Sequence, residues 1–142
     1  MSSFYDEEIQ KRISTHIVNG DVLVHKDNRD FFEEIEINYP TSFNKIDWDQ
    51  KGYILYKKIT EKNKIEEFYN LLTFISHEYP EISSDRMIIF GDDLIDYAYE
   101  MEYTKFISLF DIFIEIPQHT YILFKENKKC INLTFEDEFF FG

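Results

Sequence analysis

The chain predicts an α+β fold: one domain over residues 1–142, a mostly antiparallel sheet with about three helices packed on one face. Two observations carry that reading. Segments with helical and with strand periodicity are interspersed, and most strand connections are short, which favours antiparallel neighbours over βαβ crossovers. The last quarter reads as a meander, TYILFK, the turn ENK, KCINLTF and a short DEFFF. The composition supplies the core, with 44% hydrophobic and 18% aromatic residues, and burial falls largely to 15 Phe and 10 Tyr.

In chain order, residues 4–18 read as an amphipathic helix capped by Ser3, with Tyr5, Ile9, Ile13, His16 and Ile17 on one face and Asn19-Gly20 as its stop. VLVH, 22–25, is a short strand and KDNRD a turn. In FFEEIEINY, 31–39, Ile35, Ile37 and Tyr39 alternate with Glu34, Glu36 and Asn38, which favours a strand ending at Pro40. Residues 41–51 form a polar loop around Trp48, and GYILYKKI, 52–59, is a strand. The helix 64–78 has Asn63 and Glu66 at capping-box spacing, a stripe of Ile65, Phe68, Tyr69, Leu72 and Ile75, and Pro80 as its end. MIIF, 87–90, is a strand. A further helix, 104–114, is capped by Thr104 with Phe106, Phe110 and Phe113 or Ile114 inward, and is closed by Pro117.

Between them lies GDDLIDYAYEMEYTKF, 91–106, where two periods compete. A helix stacks Asp92, Asp96 and Glu100 on one stripe, where like charges repel. A strand sends Tyr97, Tyr99, Met101 and Tyr103 to one side and Asp96, Ala98, Glu100 and Glu102 to the other. Tyrosine favours strands and Gly91-Asp92-Asp93 suits a hairpin turn, so the strand is preferred. Its carboxylate row is expected to face water, with no compensating base before Lys105.

Asp and Glu total 28 against 15 Lys and Arg, a net charge of −13. Such a domain repels nucleic acid and anionic membrane, and its natural macromolecular partners are basic. A single cysteine, Cys130, fits a reducing compartment. MSSFYDEEIQKR lacks the apolar core of a signal peptide, and no apolar run reaches the roughly 20 residues of a membrane helix. A cytoplasmic protein is expected.

Residues for chemistry are sparse. His16, His25, His77 and His119 match no spaced metal motif. Cys130 lies mid-strand, where a buried inert thiol is the common case. The pairs Asp47/Asp49 and Asp92/Asp93 lack the remaining positions of a calcium loop. No cofactor or metal is expected, and a metal-dependent enzyme is a less favoured reading.

The acids come in clusters at 6–8, 33–36, 47–49, 92–96 and 136–138, several with an aromatic alongside. Anchors supply burial and charges supply steering, so a basic protein partner is implied. The expected binding residues are Asp92, Asp93, Asp96, Glu100 and Glu102, with Asp47, Trp48 and Asp49 as a second patch. A small, acidic, Ile-, Lys-, Asn- and Phe-rich chain without catalytic motifs, ending in IPQHTYILFKENKKCINLTFEDEFFFG, resembles the bacterial immunity proteins of contact-dependent growth inhibition and related polymorphic toxin systems. That resemblance implies a non-enzyme that neutralises a cognate toxin in a 1:1 complex, for instance a nuclease domain whose phosphate site attracts carboxylates. The alternative is an acidic DNA mimic or regulatory adaptor that binds a DNA-binding protein. A long single-face array of acids favours mimicry, convergent acids in a deep cleft an enzyme, and an acidic patch with exposed aromatics the toxin inhibitor.

Overall fold

A computed structural model describes residues 3–42 and 45–142. Phe43 and Asn44, inside the loop expected at 41–51, lie outside the described residues, as do Met1 and Ser2. The elements are α1 (Phe4–Arg12), α2 (Ser14–Val18), β1 (Val22–His25), α3 (Arg29–Asn38), β2 (Thr41–Ser42), β3 (Lys45–Ile46), α4 (Trp48–Lys51), β4 (Leu55–Lys58), α5 (Lys64–Glu78), a 3₁₀ turn (Pro80–Ser84), β5 (Arg86–Gly91), β6 (Ala98–Glu102), α6 (Tyr103–Ile114), β7 (Thr120–Phe124), β8 (Cys130–Leu133) and β9 (Glu138–Phe141). Seven strands form one sheet in the order β1-β6-β5-β7-β8-β9-β4, antiparallel throughout, and β2 pairs with β3. The protein is therefore a single α+β domain, with more helices than expected. Among the described residues no helix is long and apolar enough to cross a membrane.

Helices cover both faces of the sheet, not one. Met87, Ile89, Tyr99, Met101, Ile122, Phe124, Phe139 and Phe141 face a core shared with α1, α5 and α6. On the other face Ile88, Phe90, Ala98, Tyr121, Leu123 and Cys130 pack under Ile35, Tyr39, Ile46 and Trp48. Central strands buried on both sides read as continuous apolar runs, as MIIF and TYILF do.

The second layer is α3, and it corrects the strand expected at 31–39. Phe31, Ile35 and Tyr39 recur at helical spacing, and Phe31 and Phe32 pack on Phe90 at 5.9 and 4.8 Å between ring centroids. Ile37, which a strand would turn inward beside Ile35, is 81% exposed. The apparent alternation was six residues of coincidence inside a stronger 3.6-residue stripe.

Other elements follow the sequence closely. Helix α5 has the expected bounds and buries Phe68, Leu72 and Ile75, while Ile65 and Tyr69 stay exposed. Its expected cap does not form: Asn63 makes no side-chain cap bond, and Thr60 instead donates to Glu67 from its N–H (2.7 Å) and its hydroxyl (2.8 Å). Helix α6 starts one residue early, at Tyr103, and neither Thr104 nor its N-cap Glu102 supplies a side-chain cap. The first helix breaks at Ile13, ahead of Ser14 and Thr15, both weaker helix formers. Gly20 ends α2 at a φ of 85°, as the Asn-Gly signal requires.

Candidate functional site

The segment after β5 does not turn tightly into a hairpin. Residues 92–97 run irregularly, and only Ala98–Glu102 form the strand. What fixes this loop is Asp6, on the first turn of α1 and fully buried. Its carboxylate accepts the N–H of Asp96 (2.7 Å), the N–H of Tyr97 (3.3 Å), the hydroxyl of Tyr99 (2.7 Å) and the N–H of Ser3 (3.2 Å). The Ser3 hydroxyl in turn accepts the Asp6 N–H, completing a capping box. Burial, with Asp6 as acceptor, pushes the Tyr99 phenol far up, so it stays a donor. One buried carboxylate thus joins the start of the chain to a loop ninety residues away.

At the other side of the loop, Asp92 exchanges bonds with His119: its carboxylate accepts the His119 N–H (3.0 Å) and its own N–H donates to the His119 carbonyl (3.2 Å). Leu94 N–H donates to Gln118 Oε1 at 2.8 Å. The Gln118 amide lies directly against the α-carbon of Gly91, in the space a β-carbon would occupy, so glycine is required there for contact rather than for φ. With these anchors set, Asp92, Asp93 and Asp96 all point to solvent.

The second acidic patch lies beside the first. Asp47 caps α4, accepting the Gln50 N–H at 3.1 Å, and Asp49 is exposed on the same turn. A groove of about 370 Å³ separates this turn from the β8–β9 turn, and it is lined by Asp47, Asp49, His119, Glu136, Glu138 and Phe140 among others. Burial lowers the His119 pKa, while Asp92 and Glu136 pull it back up and Lys45 opposes them. His119 therefore links the groove to the 92–97 loop. Acidic segments 6–8, 47–49, 92–96 and 136–138, scattered in sequence, meet at the one end of the sheet where β5 stops and β6 and β7 begin.

Three expected binding residues are not part of this surface. Trp48 is 5% exposed, and its Nε1–H donates to Asn132 Oδ1 at 3.0 Å while its ring stacks on Phe140 at 5.3 Å. It orients the Asp47–Asp49 turn from below and offers no anchor to a partner. Glu102 is exposed but sits at the opposite end of β6, across from Arg86.

Glu100, expected to face water, is 4% exposed. Its carboxylate is held by Arg86 Nε (2.6 Å), His25 Nε2 (3.0 Å) and Lys125 Nζ (3.5 Å). Burial pushes its pKa up, but the Arg86 and His25 hydrogen bonds and the Lys125 charge outweigh that and hold it below the usual carboxylate value. The compensating bases come from β1, β5 and the end of β7, and cross-strand neighbours cannot be read from local sequence.

Aromatic residues that the sequence does not single out border the acidic end, Tyr56 and Phe140 on one face of the sheet and Phe4 on the other, while Tyr53 carries the first cluster toward the opposite end beside Lys128 and Lys129. Tyr53, Tyr56 and Phe140 cluster with centroids 4.9–5.6 Å apart, and the Tyr56 hydroxyl donates to Glu138 at 2.7 Å. Phe4, 65% exposed, lies beside Glu8 and Glu115 near the base of the 92–97 loop. The available signal was Lys57-Lys58 after Tyr56, a lysine pair typical of an edge strand whose neighbours face solvent.

Cys130 is fully buried and burial pushes its thiol up, the state of an inert sulfur. Among the described residues no group of three or more His, Cys, Asp or Glu side chains is placed to hold a metal ion. No protein-family model and no curated protein matches the chain.

Proposed function

We propose that this protein is a stoichiometric inhibitor that binds a basic toxin domain, a nuclease for preference, and neutralises it through the acidic end of the sheet. The convergence of Asp47, Asp49, Asp92, Asp93, Asp96, Glu136 and Glu138 on that end, bordered by Tyr56 and Phe4, is what supports the reading. Carboxylates held out by buried anchors form a surface whose shape exists before the partner arrives. Little conformational freedom is then lost on binding, and the field steers a basic partner at up to about 10⁸–10⁹ M⁻¹s⁻¹ at low salt. The adjoining aromatics supply the apolar contact that charge alone does not.

The acids come from three separate segments gathered at one end of the sheet, with Tyr56 and Phe140 beside Glu138. A DNA mimic would instead call for charges spaced like phosphates along a straight face. The proposed binding residues are thus Asp92, Asp93, Asp96, Asp47 and Asp49, joined by Glu136 and Glu138; Glu100 and Trp48 support the fold.

The reading is tested by isolating the complex at low salt and dissociating it. The expected result is one basic chain at 1:1, inactive while bound and toxic when freed. A co-purifying chromatin or restriction protein would replace the inhibitor with the adaptor.

A further inference from the structure

Among the described residues the sheet has two open edges, β1 and β4. The β4 edge is flanked by apolar surface on both sides. Tyr53 and Ile54, 49% and 48% exposed, lead into it, and Tyr56 stands on one face with Phe140. On the other face an apolar trough of about 340 Å³ runs between Leu55 of the strand and Leu71 and Phe74 of α5, with Phe74 53% exposed. Apolar surface gathered along an unpaired strand marks a place where another chain can pair.

The backbone is set for such pairing. Ile59 N–H donates to the Asp137 carbonyl at 2.8 Å, and Lys57 lies opposite Phe139 in register. Antiparallel ladders alternate, so the Lys57 amide group turns toward β9 and those of Tyr56 and Lys58 turn outward. A strand added there sends alternate side chains to opposite faces. One set enters the Leu55–Leu71–Phe74 trough and must be apolar. The other set passes over Tyr53, Tyr56 and Phe140 toward Glu138 and the acidic groove, where aromatic faces and carboxylates together favour Lys or Arg.

We propose that β4 receives an extended segment of the partner as an added antiparallel or parallel strand, in which apolar residues alternate with Arg or Lys. The proposal rests on the reading of a basic partner and specifies how that partner docks. A second copy of this chain does not fit. Each copy carries −13, so two copies repel. Lys57 and Lys58 do not bar a basic partner, because each has a carboxylate beside it, Glu67 in the trough for Lys57 and Glu138 across the β9 ladder for Lys58.

The test uses a peptide of about ten residues alternating Val and Arg, titrated against the full chain and followed by NMR of backbone amides. The expected result is shifts and slowed exchange at the Tyr56 and Lys58 amides. Binding should weaken about tenfold or more in Lys58→Pro, which removes an outward donor and leaves the β9 ladder whole, and likewise in Phe74→Glu, an exposed site that leaves the core untouched. Replacing Arg by Glu in the peptide should abolish binding. If the Val–Arg peptide binds with unperturbed β4 amides, is indifferent to both variants, and is lost on reversal of Asp93 and Asp96, strand addition is overturned while the basic-partner reading stands. Preference for the Val–Glu peptide overturns both. Absence of binding by either peptide, or concentration-dependent β4–β4 dimers, overturns the proposed occupant.

Discussion

Replacing Asp6 by Ala removes the acceptor that joins α1 to the 92–97 loop, and the structure sets the size of the loss. Three long-range donors lose their partner: the N–H groups of Asp96 and Tyr97 and the hydroxyl of Tyr99. A buried donor left bare costs about 1–3 kcal/mol, and loss of the capping box's return bond from the Ser3 N–H about 1 kcal/mol, the Ser3 hydroxyl still accepting the N–H of residue 6. Asp96 is exposed, so water can replace the carboxylate at its amide. Tyr97 is half-buried and Tyr99 fully buried, where replacement is hindered. Taking the low figure for those two and adding the cap gives about 3 kcal/mol, a large part of the about 5–15 kcal/mol that holds a domain together. Equilibrium urea unfolding followed by the fluorescence of buried Trp48 measures it. Asp6→Asn keeps one acceptor oxygen and should fall between wild type and Asp6→Ala. A loss below about 1 kcal/mol for Asp6→Ala, with an unchanged denaturant slope, would refute the idea that this carboxylate organises the loop.

Glu100→Gln should cost about 1–2 kcal/mol at neutral pH by urea unfolding, less than the about 3–5 kcal/mol of a fully buried pair, because Arg86, Lys125 and His25 are a third to a half exposed and can rehydrate. The Glu100 carboxyl is held low in the folded state, so its contribution is present above the ordinary carboxylate range and disappears as pH falls through the depressed folded value. Wild type and variant should therefore converge in acid, and a constant gap across pH 7 to 3 would contradict the assignment. Gly91→Ala drives a methyl into the Gln118 amide and should lower stability by about 1–3 kcal/mol, read as a drop in Tm, whereas Gly20→Ala meets no atom and is limited to the strain of its positive φ. Reversal of Asp93 and Asp96 to Lys should leave Tm within a few degrees, since both side chains are exposed and neither anchors the loop as Asp92 does, yet lower the association rate with a basic partner and flatten its salt dependence.

Much of the fold was legible where local pattern and tertiary context agree. Helix α5 carries its stripe and its Pro80 stop within its own sequence, and the β7–β8–β9 meander announces itself through apolar runs and polar turns. The misreading of 31–39 arose where two periods overlapped, and only Phe90 and Tyr121 beneath it decide for the helix. Tyr99 and Met101 were placed inward correctly, but their opposite face was taken as water because nothing near Glu100 in sequence reveals Arg86, Lys125 and His25. The acidic clusters could each be seen, whereas their meeting at one end depends on Asp6 and on the Asp92–His119 exchange, contacts separated by 90 and 27 positions. Trp48 was conspicuous as the one tryptophan, and its burial under Phe140 shows that conspicuous composition does not locate a surface.

The most direct measurement of the central claim is a side-by-side capture at low salt from the native cells, using tagged wild type and the Asp93→Lys, Asp96→Lys variant, with bound chains identified by mass. The account predicts one basic protein held 1:1 by wild type, released by salt, toxic once freed, and not retained by the variant. The same partner held equally by both proteins, or none held by either, would contradict the claim that the acidic end of the sheet is the binding surface.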